Sequence, residues 1–310
     1  MQPSYLKLHH DGELSNRWKK ALSILESCHL CPRECGVNRL KGEIGFCGTG
    51  SKAGVASYNA HFGEEAPLVG SHGSGTIFFG SCNLLCSFCQ NYDISHLSEA
   101  VEVEPERLAA MMIHLAEGGC HNINFVTPSH VVPQIIEALI LAVDEGLRVP
   151  LVYNSSGYDL KETLELLDGI FDIYMPDFKF WEWKWADRFC KAPDYRDVAT
   201  KAIREMHRQV GDLMMDNEGI GLRGLLVRHL VMPDRVSGAD KITEFLAEEI
   251  SQDTYVNIMD QYRPCGVADQ DKFINRRITT QEYRDAVDSA KRAGLTRLDS
   301  RSRPRLVFTF

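Results

Sequence analysis

The feature that most limits the fold of this 310-residue chain is its regular alternation of short apolar runs and helical patterns from residue 75 onward. Residues 76–79, 123–126, 150–153, 171–175, 225–231 and 255–259 read as strands. Helical patterns follow them at 105–117, from Pro133 to a stop at Gly146, from 159 to Gly169, at 197–210 and at 241–250. Asp159-Leu160-Lys161-Glu162 resembles a capping box, and Thr279-Thr280-Gln281-Glu282 opens a last helix that runs to Gly294. Strict strand–helix alternation implies a parallel sheet, because right-handed crossovers lay the helices on its outside. Six units are too few for an eight-stranded barrel, so an α/β fold with a partial (β/α)6 barrel is expected over residues 75–310. Residues 1–74 form an N-terminal appendage, with a helix at 15–27 that Ser15 would cap.

In parallel βα folds the working residues gather at the C-terminal ends of the strands. The end of the first strand here carries Cys82, Cys86 and Cys89 at C-x3-C-x2-C spacing. Three thiolates on one compact turn suit three irons of a [4Fe–4S] cube and leave the fourth iron without a protein ligand. An open position is what distinguishes a catalytic metal from a structural one. Phe88, just before the last cysteine, is placed to shield the cluster edge and flank an adenine. The competing readings are a zinc knuckle and buried free thiols; three cysteines within eight residues exceed what packing needs.

A second group, Cys28, Cys31, Cys35 and Cys47, lies among Gly36, Gly42, Gly45, Gly48 and Gly50. Four thiolates can close a tetrahedral zinc site or hold an auxiliary iron–sulfur cluster, and spacing does not choose between them. Such a closed site is structural or an electron relay. The remaining strand ends bear Thr127–His130, Asn154–Ser156, Asp177–Lys179, Arg228–Asp234 and Tyr262–Cys265. Each alone is ordinary turn chemistry, but six in register with a cysteine loop point to a site.

Composition narrows the setting. A net charge of −9 argues against a general nucleic-acid-binding surface. The sequence shows no apolar run long enough to span a bilayer and no signal-peptide pattern. Ten cysteines, clustered in this way, read as metal ligands in a reducing cytoplasm rather than as disulfides.

The segment Cys82–Asn91 resembles the signature of radical S-adenosylmethionine (SAM) enzymes, and Cys89-Gln90-Asn91 is similar to the branch related to pyruvate formate-lyase activating enzyme. Cys31–Arg39, Glu205–Gly211 and Asn257–Pro264 are similar to the predicted pyruvate formate-lyase-activating-enzyme-like subfamily. The resemblance implies reductive cleavage of SAM and abstraction of hydrogen from a protein glycine. It also implies an electron donor such as flavodoxin or ferredoxin and a glycyl radical enzyme as partner. Alternatives are radical modification of a peptide, tRNA or small molecule, or a non-catalytic zinc-stabilised scaffold.

Residue by residue, the resemblance implies SAM contacts by Asp177 or Lys179 and a salt bridge from Arg228 to the SAM carboxylate. Two elements of that branch are replaced. Thr127-Pro128-Ser129 stands where a Gly-Gly-Glu holds the SAM amino group, so backbone carbonyls and Ser129 are expected there. Asn154-Ser155-Ser156-Gly157 stands in place of Asp-Thr-Asn-Gly.

Overall fold

The structure, a computed structural model, describes residues 2–97 and 99–299. Residues 300–310 of the expected barrel region lie outside it. Helices α1 (Tyr5–His10) and α2 (Glu13–Ile24) lead through the cysteine-bearing segment to strand β1 (Ala53–His61). The short helix α3 (Ala66–Val69) then precedes β2 (Ser74–Phe79), whose cysteine loop runs into α4 (Tyr92–His96) and β3 (Val101–Val103). After these come α5 (Pro105–Glu117), β4 (Ile123–Val126), α6 (Val132–Asp144), β5 (Leu151–Ser155), α7 (Lys161–Leu166) and β6 (Ile173–Pro176). The chain continues through α8 (Trp183–Cys190), α9 (Tyr195–Val210), β7 (Met214–Met215), β8 (Gly221–Leu230), α10 (Ala239–Phe245), β9 (Tyr255–Met259) and α11 (Thr280–Ala293).

The six expected strands are β2, β4, β5, β6, β8 and β9, and they pair in parallel in that order. The sheet curves but does not close, as the fold class expected. Its outer face packs against the helices through a buried aromatic cluster that includes Tyr153 and Phe171, whose rings lie 4.9 Å apart. Each such fully buried side chain contributes about 1.5–3 kcal/mol. Thr279 closes the expected capping box with Glu282 at the start of α11.

Several local details differ from the sequence reading. Ser15 lies inside α2, whose N-cap is Gly12 in a left-handed conformation (φ 73°). Asp159 caps no helix: its carboxylate accepts from the Ser129, Tyr153 and Ser155 hydroxyls, a buried network with better-paired acceptor oxygens than a cap would offer. Cys190 is the last residue of α8. The helix expected over 241–250 ends at Phe245 and continues as a π-turn, Leu246–Ile250.

The antiparallel strands were not anticipated. β1 lies N-terminal to residue 74 yet hydrogen-bonds along β2, with β3 on its far side. The segment after β1 then turns beneath the sheet. Leu68 of α3 is fully buried with Val152, Ile173, Met175, Leu226 and Tyr255. These are alternate positions on β5, β6, β8 and β9, one period-2 face. The same face continues upward as Asn154, Asp177, Arg228 and Asn257, which line a cavity. The N-terminal part thus plugs the bottom of the open barrel with apolar side chains.

Candidate functional site

Above the plug lies a cavity of about 400 Å³ lined by Cys82, Cys86, Cys89 and the ends of the parallel strands. Its size falls in the usual range for small-molecule sites. The loop carrying the three cysteines is tightly wound, with Ser81 (φ 70°) and Leu85 (φ 52°) both left-handed. Non-glycine residues hold such angles only where surrounding contacts over-determine them. Here the contacts are many. Asn83 donates to the Tyr158 carbonyl (2.8 Å), Ser87 N–H to Phe189 O (2.8 Å), and the Leu84 N–H points at Cys82 Sγ (3.3 Å). Arg33, from the four-cysteine segment, grips the loop by donating to Asn83 O (2.9 Å) and to Cys190 O (2.8 Å).

Burial pushes the Cys82 thiol up to about 12 and raises Cys89. Cys86 is raised by the Cys190 thiol, which lies 3.4 Å from its sulfur, and by burial. Thiols of this kind stay protonated until a metal takes them. Among the described residues no three His, Cys, Asp or Glu side chains converge as ligands of one metal ion. A cube does not ask for that, since each thiolate takes its own iron. Two buried sulfurs and the half-buried one of Cys89, on one constrained loop opening into a cavity, therefore fit the cluster.

The far wall is an ion-pair chain. Lys179 Nζ meets Asp177 Oδ2 at 2.5 Å, and Arg228 Nε meets Asp177 Oδ1 at 2.7 Å. A second Arg228 donor reaches Asn154 Oδ1 at 2.7 Å. Burial works against the Asp177 carboxylate, but Arg228 and Lys179 outweigh it and hold its pKa below the ordinary range. Burial likewise opposes the charge on Lys179 and Arg228, and Asp177 reverses it in both. Tyr195 of α9 fixes the turn. Its hydroxyl accepts from the Lys179 N–H (2.9 Å) and lies 2.8 Å from the Ser156 carbonyl. Gly157 is required beside it (φ +73°), because a Cβ there would sit 2.3 Å from the Asp177 carbonyl.

The cavity gathers Cys82, Cys86, Cys89, Phe88, Thr127, Asn154, Asp177, Lys179 and Arg228 from the sequence candidates. Phe88 reaches it from an aromatic cluster with Phe180, Phe189 and Tyr262. Thr127 sits at a left-handed φ of 61°. Ser129 is not in the lining, since its hydroxyl is committed to Asp159 at 2.6 Å. The sequence reading missed Glu64, Glu65, Asn257 and Cys190. Gly63-Glu64-Glu65 lies before α3 in a stretch without strand-end register, so only the plug brings it to the cavity.

Comparison with known proteins now bears on this geometry. The family description "Radical SAM superfamily" matches residues 76–218. The uncharacterized protein MJ0674 of Methanocaldococcus jannaschii is 33% identical over 283 residues, covering 89% of this chain and 77% of that protein. The chain belongs to the radical SAM superfamily. A second protein of the same organism, the uncharacterized protein MJ0808, is 26% identical over 159 residues, covering 45% of this chain and 46% of its own length. Membership in the radical SAM superfamily makes the protein an enzyme that uses a [4Fe–4S] cluster, SAM and a reductant. No helix among the described residues is long and apolar enough to cross a membrane.

Two buried histidines fasten loops beside this cavity. His130 donates from Nε2 to Gly80 O (2.9 Å), and His229 from Nδ1 to Phe178 O (2.7 Å). Burial holds both rings down to about 4. The folded protein thus favours the neutral rings. Their stabilisation is complete above the ordinary pKa of about 6.5 and is lost as pH falls toward 4. Acidification from pH 7 to 4.5 is expected to lower stability by on the order of 3 kcal/mol per histidine. Urea midpoints for wild type and His229→Gln will check this, with the variant showing the flatter pH profile.

Proposed function

We propose that Cys82, Cys86 and Cys89 hold the [4Fe–4S] cluster and that the cavity between them and Arg228 binds SAM. The observation that carries this is the three thiols, Cys82 and Cys86 buried and Cys89 half-buried, opening onto a cavity whose opposite wall is the Lys179–Asp177–Arg228 chain. Bound there, the reduced cluster supplies the electron that splits SAM into methionine and a hydrogen-abstracting 5′-deoxyadenosyl radical. This chain's residues position and shield. Phe88 offers an aromatic wall, Asn154 and Arg228 offer polar groups at the strand ends, and the Leu68 plug keeps water from entering below. The motif resemblance supports a protein glycine as the hydrogen donor, with a glycyl radical enzyme as partner and flavodoxin or ferredoxin as reductant. The test is anaerobic incubation of reconstituted protein with dithionite and SAM. Release of 5′-deoxyadenosine is expected, and its absence from a fully loaded, reduced sample would favour a scaffold.

Residues 1–74 we take as a metal-carrying appendage that also lends β1 and the plug to the barrel. Cys28, Cys31 and Cys47 are buried and Cys35 is half-buried. Burial, then the neighbouring thiols, raises Cys31 to about 12. Arg33 ties this segment to the catalytic cysteine loop, which suits an electron relay or a structural site. Metal analysis of anaerobically purified protein should find about eight irons for two cubes, since no three side chains among the described residues converge on one ion as a zinc site requires. The same metal content in Cys28→Ala/Cys31→Ala as in wild type would reduce these cysteines to buried thiols.

A further inference from the structure

The floor of the cavity carries more negative charge than its own cations balance. Glu64 and Glu65 enter it from the turn before α3, 8% and 3% exposed respectively. Glu64 meets His61 Nδ1 at 3.2 Å. Glu65 Oε1 accepts from Asn257 at 2.9 Å, while its Oε2 is buried without a hydrogen-bond partner. Arg228 comes no nearer than 3.8 Å to Glu64 and 4.0 Å to Glu65, because its guanidinium is already engaged by Asp177 at 2.7 Å. Three carboxylates therefore face two full cations, Arg228 and Lys179. A buried carboxylate oxygen without a partner is costly unless something supplies a donor.

The shape of the surroundings selects what that donor is. A metal ion would need several converging oxygen ligands, and among the described residues no such group forms. Apolar side chains stand on the strands above the floor: Phe78, Val126, Leu230 and Met259 also line the cavity. An acidic floor below apolar walls matches an alkyl chain that ends in a cation. Glu65 is linked to Lys179 in steps through Arg228 and Asp177.

We propose that the floor is a cation site and that the molecule or segment giving up hydrogen carries a primary ammonium on an alkyl chain, received by Glu65 with Glu64 beside it. This rests on reading the cavity as the radical SAM site. The ammonium donates to the open Oε2 of Glu65 and balances the excess charge. The carboxylates do not take part in the chemistry; they set which substrate enters and how far.

The test is anaerobic calorimetric titration of the reconstituted full-length protein, with SAM bound, using three probes. N-acetyl-L-lysine amide and 1,5-diaminopentane carry the ammonium, and N-acetyl-L-norleucine amide is the uncharged counterpart. At least one amine should bind tenfold or more tighter than the norleucine amide. Glu65→Gln should erase that preference while SAM affinity stays within twofold. Tighter binding of the lysine amide marks a peptide side chain as the source, and tighter binding of the diamine marks a free amine. Equal binding of charged and neutral probes to wild type overturns the proposal. So does a Glu65→Gln variant that loses SAM affinity while keeping the amine preference. Should that variant not fold, the wild-type probe comparison together with Glu64→Gln decides. Release of 5′-deoxyadenosine from the same wild-type samples, without probe, reports separately on the radical SAM reading.

Discussion

Cys86→Ala is expected to remove about four irons per chain and the absorbance of the catalytic cluster, the largest change any single substitution should cause. Cys86 is the middle thiol of the loop, buried against Cys190 and facing the cavity. On the proposed assignment the other two cysteines would not hold the cube in place, since each would serve a separate iron. The loop itself should survive, because its hold on the protein runs through Asn83, Ser87 and Arg33 rather than through sulfur. Anaerobic reconstitution followed by iron and sulfide analysis checks the outcome. A Cys82/Cys86/Cys89 triple variant that retains wild-type iron would overturn the assignment.

Arg228→Ala should cost about 3–5 kcal/mol of stability and weaken SAM binding together. The guanidinium sits among Asp177 at 2.7 Å, Glu64 at 3.8 Å and Glu65 at 4.0 Å. Removing it leaves three buried carboxylates with Lys179 as their nearest full cation. Arg228→Lys keeps the charge but loses the fork that spans Asp177 and Asn154, so it should fall between the two. The pH dependence follows from Asp177, whose folded pKa is lowered after Arg228 and Lys179 outweigh burial. A depressed carboxyl pKa stabilises the fold above the ordinary value of about 4 and ceases to do so as pH falls below it. The gap between wild type and Arg228→Ala should therefore narrow on acidification. Urea midpoints at pH 7 and pH 4 measure it, and a constant gap would mean that Arg228 acts by packing alone.

Much of the frame was legible from the chain because its signals are local. An apolar run followed by a helical period declares a βα unit wherever it occurs, and 123–126 and 255–259 were read to the residue. The cysteine loop was legible for the same reason, since its spacing and its place after a strand are both written within one segment. Capping was less so. Thr279 caps α11 through a carboxylate three residues on, but Asp159, in a similar pattern, is drawn away by Ser129, Tyr153 and Ser155. A cap competes with any partner that tertiary packing brings close.

What only the tertiary structure decided is the floor of the site. β1 pairs antiparallel with β2, and Leu68 fills the barrel interior from below. The Leu68 plug follows from no periodicity of residues 53–69, because the faces it packs against lie more than 80 residues away on β5, β6, β8 and β9. Glu64 and Glu65 stand side by side before Ala66-Pro67, in a stretch with no local pattern that places them inside. The plug buries them beside Arg228, and burial turns an ordinary surface charge into a demand for a partner. The chain by itself thus determined the scaffold and the cysteine loop at the end of its first parallel strand. The long-range fit of one short helix into an open barrel determined what else faces the cavity, since contacts between distant segments leave no local pattern to read.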